Sequence, residues 1–227
     1  MSLPSDVTAS YRRRSTALRA ATYRDLLRIW PAFNPDDAEA VAAWMAGANA
    51  IALRDYRRSE QLALEYVPLH ALASGAEVKP TRAAPFPKEQ VAVSSRVTSL
   101  VAFRKAVGAG KSRDEALRIS YVRSAGAIAR IGLDGGRSAI MRTAEASPQV
   151  AGWRRVGNPK CDWCKALIGR GTVYRSANTA SFSAHDHCGC GAENVYTGDA
   201  LSVRAYERGD RWSGDNNARI RAYLRTL

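Results

Sequence analysis

Long apolar runs are missing from this chain of 227 residues. None approaches the roughly 18 to 20 consecutive apolar residues that span a bilayer, so no transmembrane anchor is expected. The opening Met1-Ser2-Leu3-Pro4-Ser5-Asp6 lacks the basic start and apolar stretch of a secretory signal, which sets the expectation of synthesis in a cytoplasm. Histidine is scarce: His70, His185 and His187 are too few for a Ser-His-Asp arrangement of any force. Lysine is scarce as well, with six of the 34 basic residues, the other 28 being arginine. Cysteine is confined to Cys161, Cys164, Cys188 and Cys190, and without a secretion signal such clustering points to a metal rather than to disulfides.

What is present describes a globular protein of one or two domains, 46% hydrophobic and 24% charged. The net charge of +13 is unevenly spread. Residues 1–90 carry 12 basic and 10 acidic side chains, residues 91–150 carry 10 and 4, and residues 151–227 carry 12 and 7. The excess therefore begins after residue 90. Arginine's planar fork suits phosphate and carboxylate partners, which favours nucleic acid or an acidic protein surface; a genome's base composition would give the same bias.

The spacing predicts helices over the first 75 residues. Leu18, Leu26 and Ile29 share one face, with Thr22 between them, and this helix should end near Trp30-Pro31. Asn34-Pro35-Asp36-Asp37 reads as a helix start. Val41, Trp44, Ala48 and Ile51 follow as a buried stripe, and the helix should end about Tyr66, before Pro68. Three prolines and a glycine over residues 74–88 read as a linker, taken as about 74–90. The next helix places Val97, Leu100 and Val101 on one side and stops at Gly108-Ala109-Gly110. Ser112-Arg113-Asp114-Glu115 is a capping box. The helix it opens should bury Ile119, Val122 and Ala129, carry Arg123 and Arg130 on an adjoining face, and break at Gly132 to Gly136. Beyond Pro148, short β-prone segments at Val150 to Val156, Gly171 to Arg175 and around Val195-Tyr196 suggest a small α+β module, and a last helix is expected near 216–227.

Gly108-Ala109-Gly110-Lys111-Ser112 imitates the end of a phosphate-binding loop, but Lys105 stands where the first glycine belongs and a helix stands where a strand belongs. A helix stop followed by a cap explains every residue.

Cys161-Asp162-Trp163-Cys164 followed by His185-Asp186-His187-Cys188-Gly189-Cys190 is the specific signal. Two cysteines two residues apart form a knuckle, and a second ligand pair about 20 residues on completes the tetrahedron that zinc requires. Six donors compete for four positions. Cys161, Cys164 and Cys190 rank first and His185 next, with Cys188 and His187 as alternates. A closed site of this kind is structural zinc, with no position open for chemistry. Arg154 and Arg155, beside a Trp153 that reads as packed, join Arg123 and Arg130 as candidate phosphate contacts of the non-specific kind.

The segment Gly152-Trp153-Arg154-Arg155-Val156, the Cys-Asp-Trp-Cys, then Gly169-Arg170-Gly171-Thr172-Val173-Tyr174-Arg175 and the His-Asp-His-Cys-Gly-Cys resembles the C-terminal region of MuF-like phage minor capsid proteins, particularly those of actinobacterial tailed phages. In that family a C-x2-C knuckle precedes a glycine-containing Val-Tyr strand and closes with His-x-x-Cys-x-Cys. His185 takes the histidine position and Cys188 and Cys190 the last two cysteines. The match departs at Ala192-Glu193-Asn194-Val195, where many relatives have a proline-containing strand. The resemblance implies a few copies inside the capsid near the portal, made in the host cytoplasm and assisting head assembly. Portal protein, major capsid protein or scaffold would be the partners, with DNA nearby and no membrane.

Two other classes compete. A metal-assisted nuclease of His-Asn-His type is similar in outline to His-Asp-His beside the knuckle, but no histidine follows His187. A zinc-ribbon DNA-binding protein is the other. Zinc deaminases are disfavoured because their histidine-glutamate element precedes the cysteine pair, and the sole upstream histidine is His70, read as a packed or capping residue. The expected protein is thus non-enzymatic and mainly α, with a helical domain over 1–146, a zinc-stabilised α+β module over 147–200, and a tail and helix over 201–227.

Overall fold

The computed structural model describes residues 3–157, 162–169, 171, 182 and 184–196. The fold is predominantly α-helical, with one small antiparallel sheet and a cysteine cluster at its C-terminal side. The Gly171 to Arg175 strand and the helix near 216–227 lie outside the described residues. Among the described residues no helix is long and apolar enough to cross a membrane.

Helix α1 (Pro4–Ile29) has proline in its first turn and passes through a turn at Trp30–Ala32. Its Leu26 is buried with Phe33 and Trp44, and Trp30 stacks on Phe33 at 4.6 Å between centroids. Helix α2 (Ala38–Ala73) begins three residues later than the Asn34 start suggested. Asn34 instead closes a turn through its carbonyl and side chain, while Asp37 caps the helix by accepting from the amides of Glu39 and Ala40. The helix also runs through Pro68. A proline inside a helix costs about 3 kcal/mol, and burial of Val67, His70 and Ala71 on either side offsets it. The actual stop is Gly75, whose positive φ of 75° lets the Ala76 amide return to the Ala71 carbonyl.

Residues 76–87 have no regular structure, yet they form a strap tied across two helices. Glu60 of α2 accepts from Arg82 and from the Ala83 amide, and the Thr81 and Ala84 amides donate to Thr143 and Ser138. Helix α3 (Lys88–Arg96) and helix α4 (Ala102–Gly108) are joined by a wider turn at Val97–Val101. There Thr98 and Ser99 hydroxyls donate to the carbonyls four residues back, which swells the helix and rotates its face. In consequence Ser95, Ser99 and Phe103 point inward, whereas Val97 and Val101, expected inside, are half exposed.

Helix α5 (Arg113–Ala146) is capped by Ser112, which accepts from the Glu115 amide. It does not break at Gly132 to Gly136. A Cβ at Gly132 would lie 3.0 Å from that of Asp55, and Cβ atoms at Gly135 and Gly136 would lie 2.8 Å from Ser59 Oγ and 2.7 Å from Ser59 O. The glycines are thus the contact that brings α5 onto α2, and Ser59 seals it by donating to the Gly132 carbonyl at 2.6 Å. Val122 is half exposed; Ala116, Ser120, Ser124 and Ile128 form the inward stripe instead.

Strand β1 (Val150–Val156) pairs with β2 (Gly191–Tyr196) in register from Val156↔Gly191 to Val150↔Tyr196, with a bulge between Val150 and Gly152. Trp153 packs in the core beneath it. A buried polar chain fixes this sheet to the helices. Glu193 accepts from Thr8 of α1 at 2.7 Å and from Arg154 at 2.6 Å, and it lies 4.0 Å from His70 of α2. Tyr196 donates to the Val67 carbonyl. The short helix α6 (Asp162–Gly169) completes the described structure.

Candidate metal centre

Cys164 lies in the first turn of α6, whose Leu167 faces inward and anchors the helix. Cys188 and Cys190 flank Gly189 in the turn that leads into β2. All three sulfurs are buried and lie within 4.8 Å of one another. Cys164 Sγ is 3.7 Å from Cys188 Sγ. Four ligands at the usual 2.3 Å zinc–sulfur bond length stand about 3.8 Å apart along the tetrahedral edge, so this pair already has the separation that a shared ion demands. His185 stands at the rim. Its Nε2 is 3.2 Å from Cys164 Sγ while Nδ1 lies 2.7 Å from the Asp186 carbonyl. Donation from Nδ1 leaves the Nε2 lone pair facing the sulfur, which is the tautomer a metal takes.

The sulfur group carries negative charge. A hydrogen bond from the Cys190 thiol, joined by the Cys190 amide and the Arg137 guanidinium, pushes the Cys188 thiol down to about 4. The same bond, together with burial, pushes Cys190 up. Burying a thiolate is costly unless a cation or donors compensate it, and a soft divalent cation among three sulfurs would offset most of that charge. The cluster could therefore coordinate a metal ion.

Arg137, which spacing gave no reason to single out, holds the turn in place. It is 3% exposed at the side chain and reaches from α5 to donate to the Cys190 carbonyl at 2.8 and 3.0 Å and to the Cys188 carbonyl at 3.2 Å. A third branch meets Asp134 at 2.7 Å. Phe182 lies between the guanidinium carbons of Arg137 and Arg155, at 4.9 and 3.9 Å from its ring centroid.

Of the donors expected from spacing, the structure brings together Cys164, Cys190 and His185. It also brings in Cys188, which spacing ranked only as an alternate. Cys161 lies outside the described residues. His187 is not in the group. Its φ of 64° turns it away, its ring rests on Gly126 of α5, and its Nδ1 is 3.2 Å from the Tyr23 hydroxyl of α1. It locks the turn to the helices.

The four arginines do not form one surface. Arg123 is exposed on α5, Arg130 is paired with Asp186 at 3.1 Å and Asp134 at 3.8 Å, and Arg154 is held by Glu193. Arg155, adjacent to Arg154 on β1, points to the opposite face and is buried against Phe182, where no phosphate can reach it.

No curated protein and no solved structure matches the chain. Residues 3–213, nearly the whole length, match the model of the VG15 protein family, and on that match the chain belongs to it.

Proposed function

We propose that this chain is a non-enzymatic minor capsid protein of a tailed phage, acting in head morphogenesis at the portal or the inner shell and lying near packaged DNA. One observation carries the reading. Of the Cys-x-x-Cys and His-x-x-Cys-x-Cys pattern that resembles MuF-like proteins, Cys164, Cys188 and Cys190 form a buried sulfur cluster, with the exposed His185 beside Cys164 at its rim. Zinc is the ion we assign to it, because three clustered sulfurs, with the His185 imidazole beside Cys164, suit a soft divalent cation. When bound, zinc supplies cross-linking and no chemistry. The chain's own residues do the rest: Arg137 anchors the ligand turn to α5, and His187 wedges it against α1 and α5.

The direct test is mass spectrometry of gradient-purified phage heads, where the full chain is expected in a few copies; its absence from heads that contain portal protein overturns the reading. The nuclease alternative has its own assay. His187 belongs to the packing of the turn, so no DNA cleavage is expected with magnesium or manganese. His185→Ala should weaken metal binding, whereas the effect of His187→Ala should be mild. Wild-type cleavage that disappears in His187→Ala without a change in melting would move the protein to the enzyme class.

A further inference from the structure

A cleft opens between α1 and the cysteine turn. Arg12, Ser15, Thr16 and Arg19 form one wall, the backbone of Gly189 to Gly191 forms the other, and the open volume is about 370 Å³ out to solvent. Arg12 and Arg19 are seven residues apart and therefore share a face of α1. Their Cα atoms lie about 10 Å apart along the helix, a span that two arginine side chains close readily. Both are half-buried, and among the described residues no carboxylate lines the cleft.

The arginines are set up differently from the others in this region. Arg130 and Arg154 face carboxylates, and Arg137 is consumed by carbonyls and Asp134. Arg19 is held by backbone alone: it donates to the His187 carbonyl at 3.2 Å, and its guanidinium lies against Gly189, where a Cβ would collide with it. Arg12 has no ion pair among the described residues. A concave site with two cations, hydroxyls between them and no compensating carboxylate concentrates anions, and forked guanidiniums on a helix face match the oxygens of a phosphate group.

We propose that this cleft is a phosphate site, taking either a backbone phosphate of DNA or the free ion. The inference stands on the cleft alone and does not rest on the capsid reading. Full-length, reduced, metal-loaded protein is titrated calorimetrically with inorganic phosphate at constant ionic strength, then again with a short unphosphorylated DNA duplex present. Saturable phosphate binding is expected. It should weaken at least tenfold in Arg12→Gln, which leaves the Arg19 contacts to the turn intact, and vanish in the Arg12→Gln/Arg19→Gln double variant. Arg13→Gln, on the neighbouring exposed position, should bind as the wild type does. Competition by the duplex assigns the site to DNA backbone, and its absence assigns it to free phosphate. No saturable binding by the wild type, or equal losses in Arg12→Gln and Arg13→Gln, overturns the proposal; incorporation into heads is unaffected by either result.

Discussion

Arg137 is the residue through which the helical body and the cysteine cluster meet. Its buried guanidinium takes two carbonyls of the ligand turn, one partly exposed carboxylate and one aromatic face. Removing such a group leaves the two carbonyls without this donor, and burial already pushes the Asp134 carboxyl up even with Arg137 opposing it. Arg137→Met should therefore lower stability by about 3–5 kcal/mol, as loss of one partner of a buried ion pair does. It should also weaken the metal roughly 10- to 100-fold, the usual effect of losing a group that orients ligands. Denaturant midpoints and competition with a chelator read the two effects separately. Arg137→Lys should rescue little of either, because a single ammonium cannot reproduce the fork. If the methionine variant bound metal like the wild type, the turn would be set by its own backbone and not by α5.

The contact between α2 and α5 shows what can and cannot be read along one chain. Signals that act within a few residues were legible: the Ser112 cap, the Gly108 to Gly110 stop, and the end of α1 near Trp30 all describe the structure. Gly132 to Gly136 was not, because glycine weakens an isolated helix but lets two helices approach, and only the partner decides which effect wins. Pro68 was misread for the same reason, since the burial that carries α2 past it comes from other elements. The cluster divides likewise. Cysteine spacing exposed the sulfurs, whereas Arg137 finds its carbonyls 51 and 53 residues away and leaves no local trace. The glycine contact gives a sharp expectation. Gly135→Ala puts a methyl into the Tyr56 carbonyl and Ser59, and overpacking of a backbone contact should cost about 3 kcal/mol. Gly108→Ala meets nothing within 4 Å and should be neutral or up to about 1 kcal/mol more stable. Thermal melts of the two variants check the pair; equal effects would show that α5 slides to make room.

At the scale of the whole molecule, stability should depend on alkali and on metal in different regions. Tyr11 and Tyr66 stack at 4.4 Å between centroids where α1 meets α2. Burial pushes the Tyr11 phenol up from 10.0 to about 12 and pushes Tyr66 up as well. A folded-state value above the unfolded one means that the contribution is complete below pH 10 and is lost as pH rises through the folded value. For Tyr11 alone that is on the order of 3 kcal/mol. Urea midpoints should accordingly fall between pH 10 and 12, with tyrosinate absorbance appearing only as the chain unfolds. Tyr11→Phe should flatten that fall.

Metal removal should act elsewhere. Among the described residues the core built by Leu26, Trp44, Ile128 and Ile131 is a cluster separate from that of the cysteines, so most helical signal should survive chelation of reduced protein. The sheet has its own ties through Glu193, Thr8 and Tyr196. Helix α6 has less support, packing through Leu167 and against β1. Its eight residues are too few to hold a helix unaided, and Cys164 is its link to the ligand turn. Hydrogen exchange should therefore rise to the level of an unfolded segment over 162–169 and the turn at 184–190, while 150–156 and 191–196 stay partly protected. Cys164→Ser should reproduce the pattern with metal present, since metal binding and local folding share one free energy. Elemental analysis should find one ion per chain in the wild type. Unchanged exchange over 162–169 after verified loss of that ion would mean that packing of Leu167 alone holds α6, and the cluster would lose its structural role.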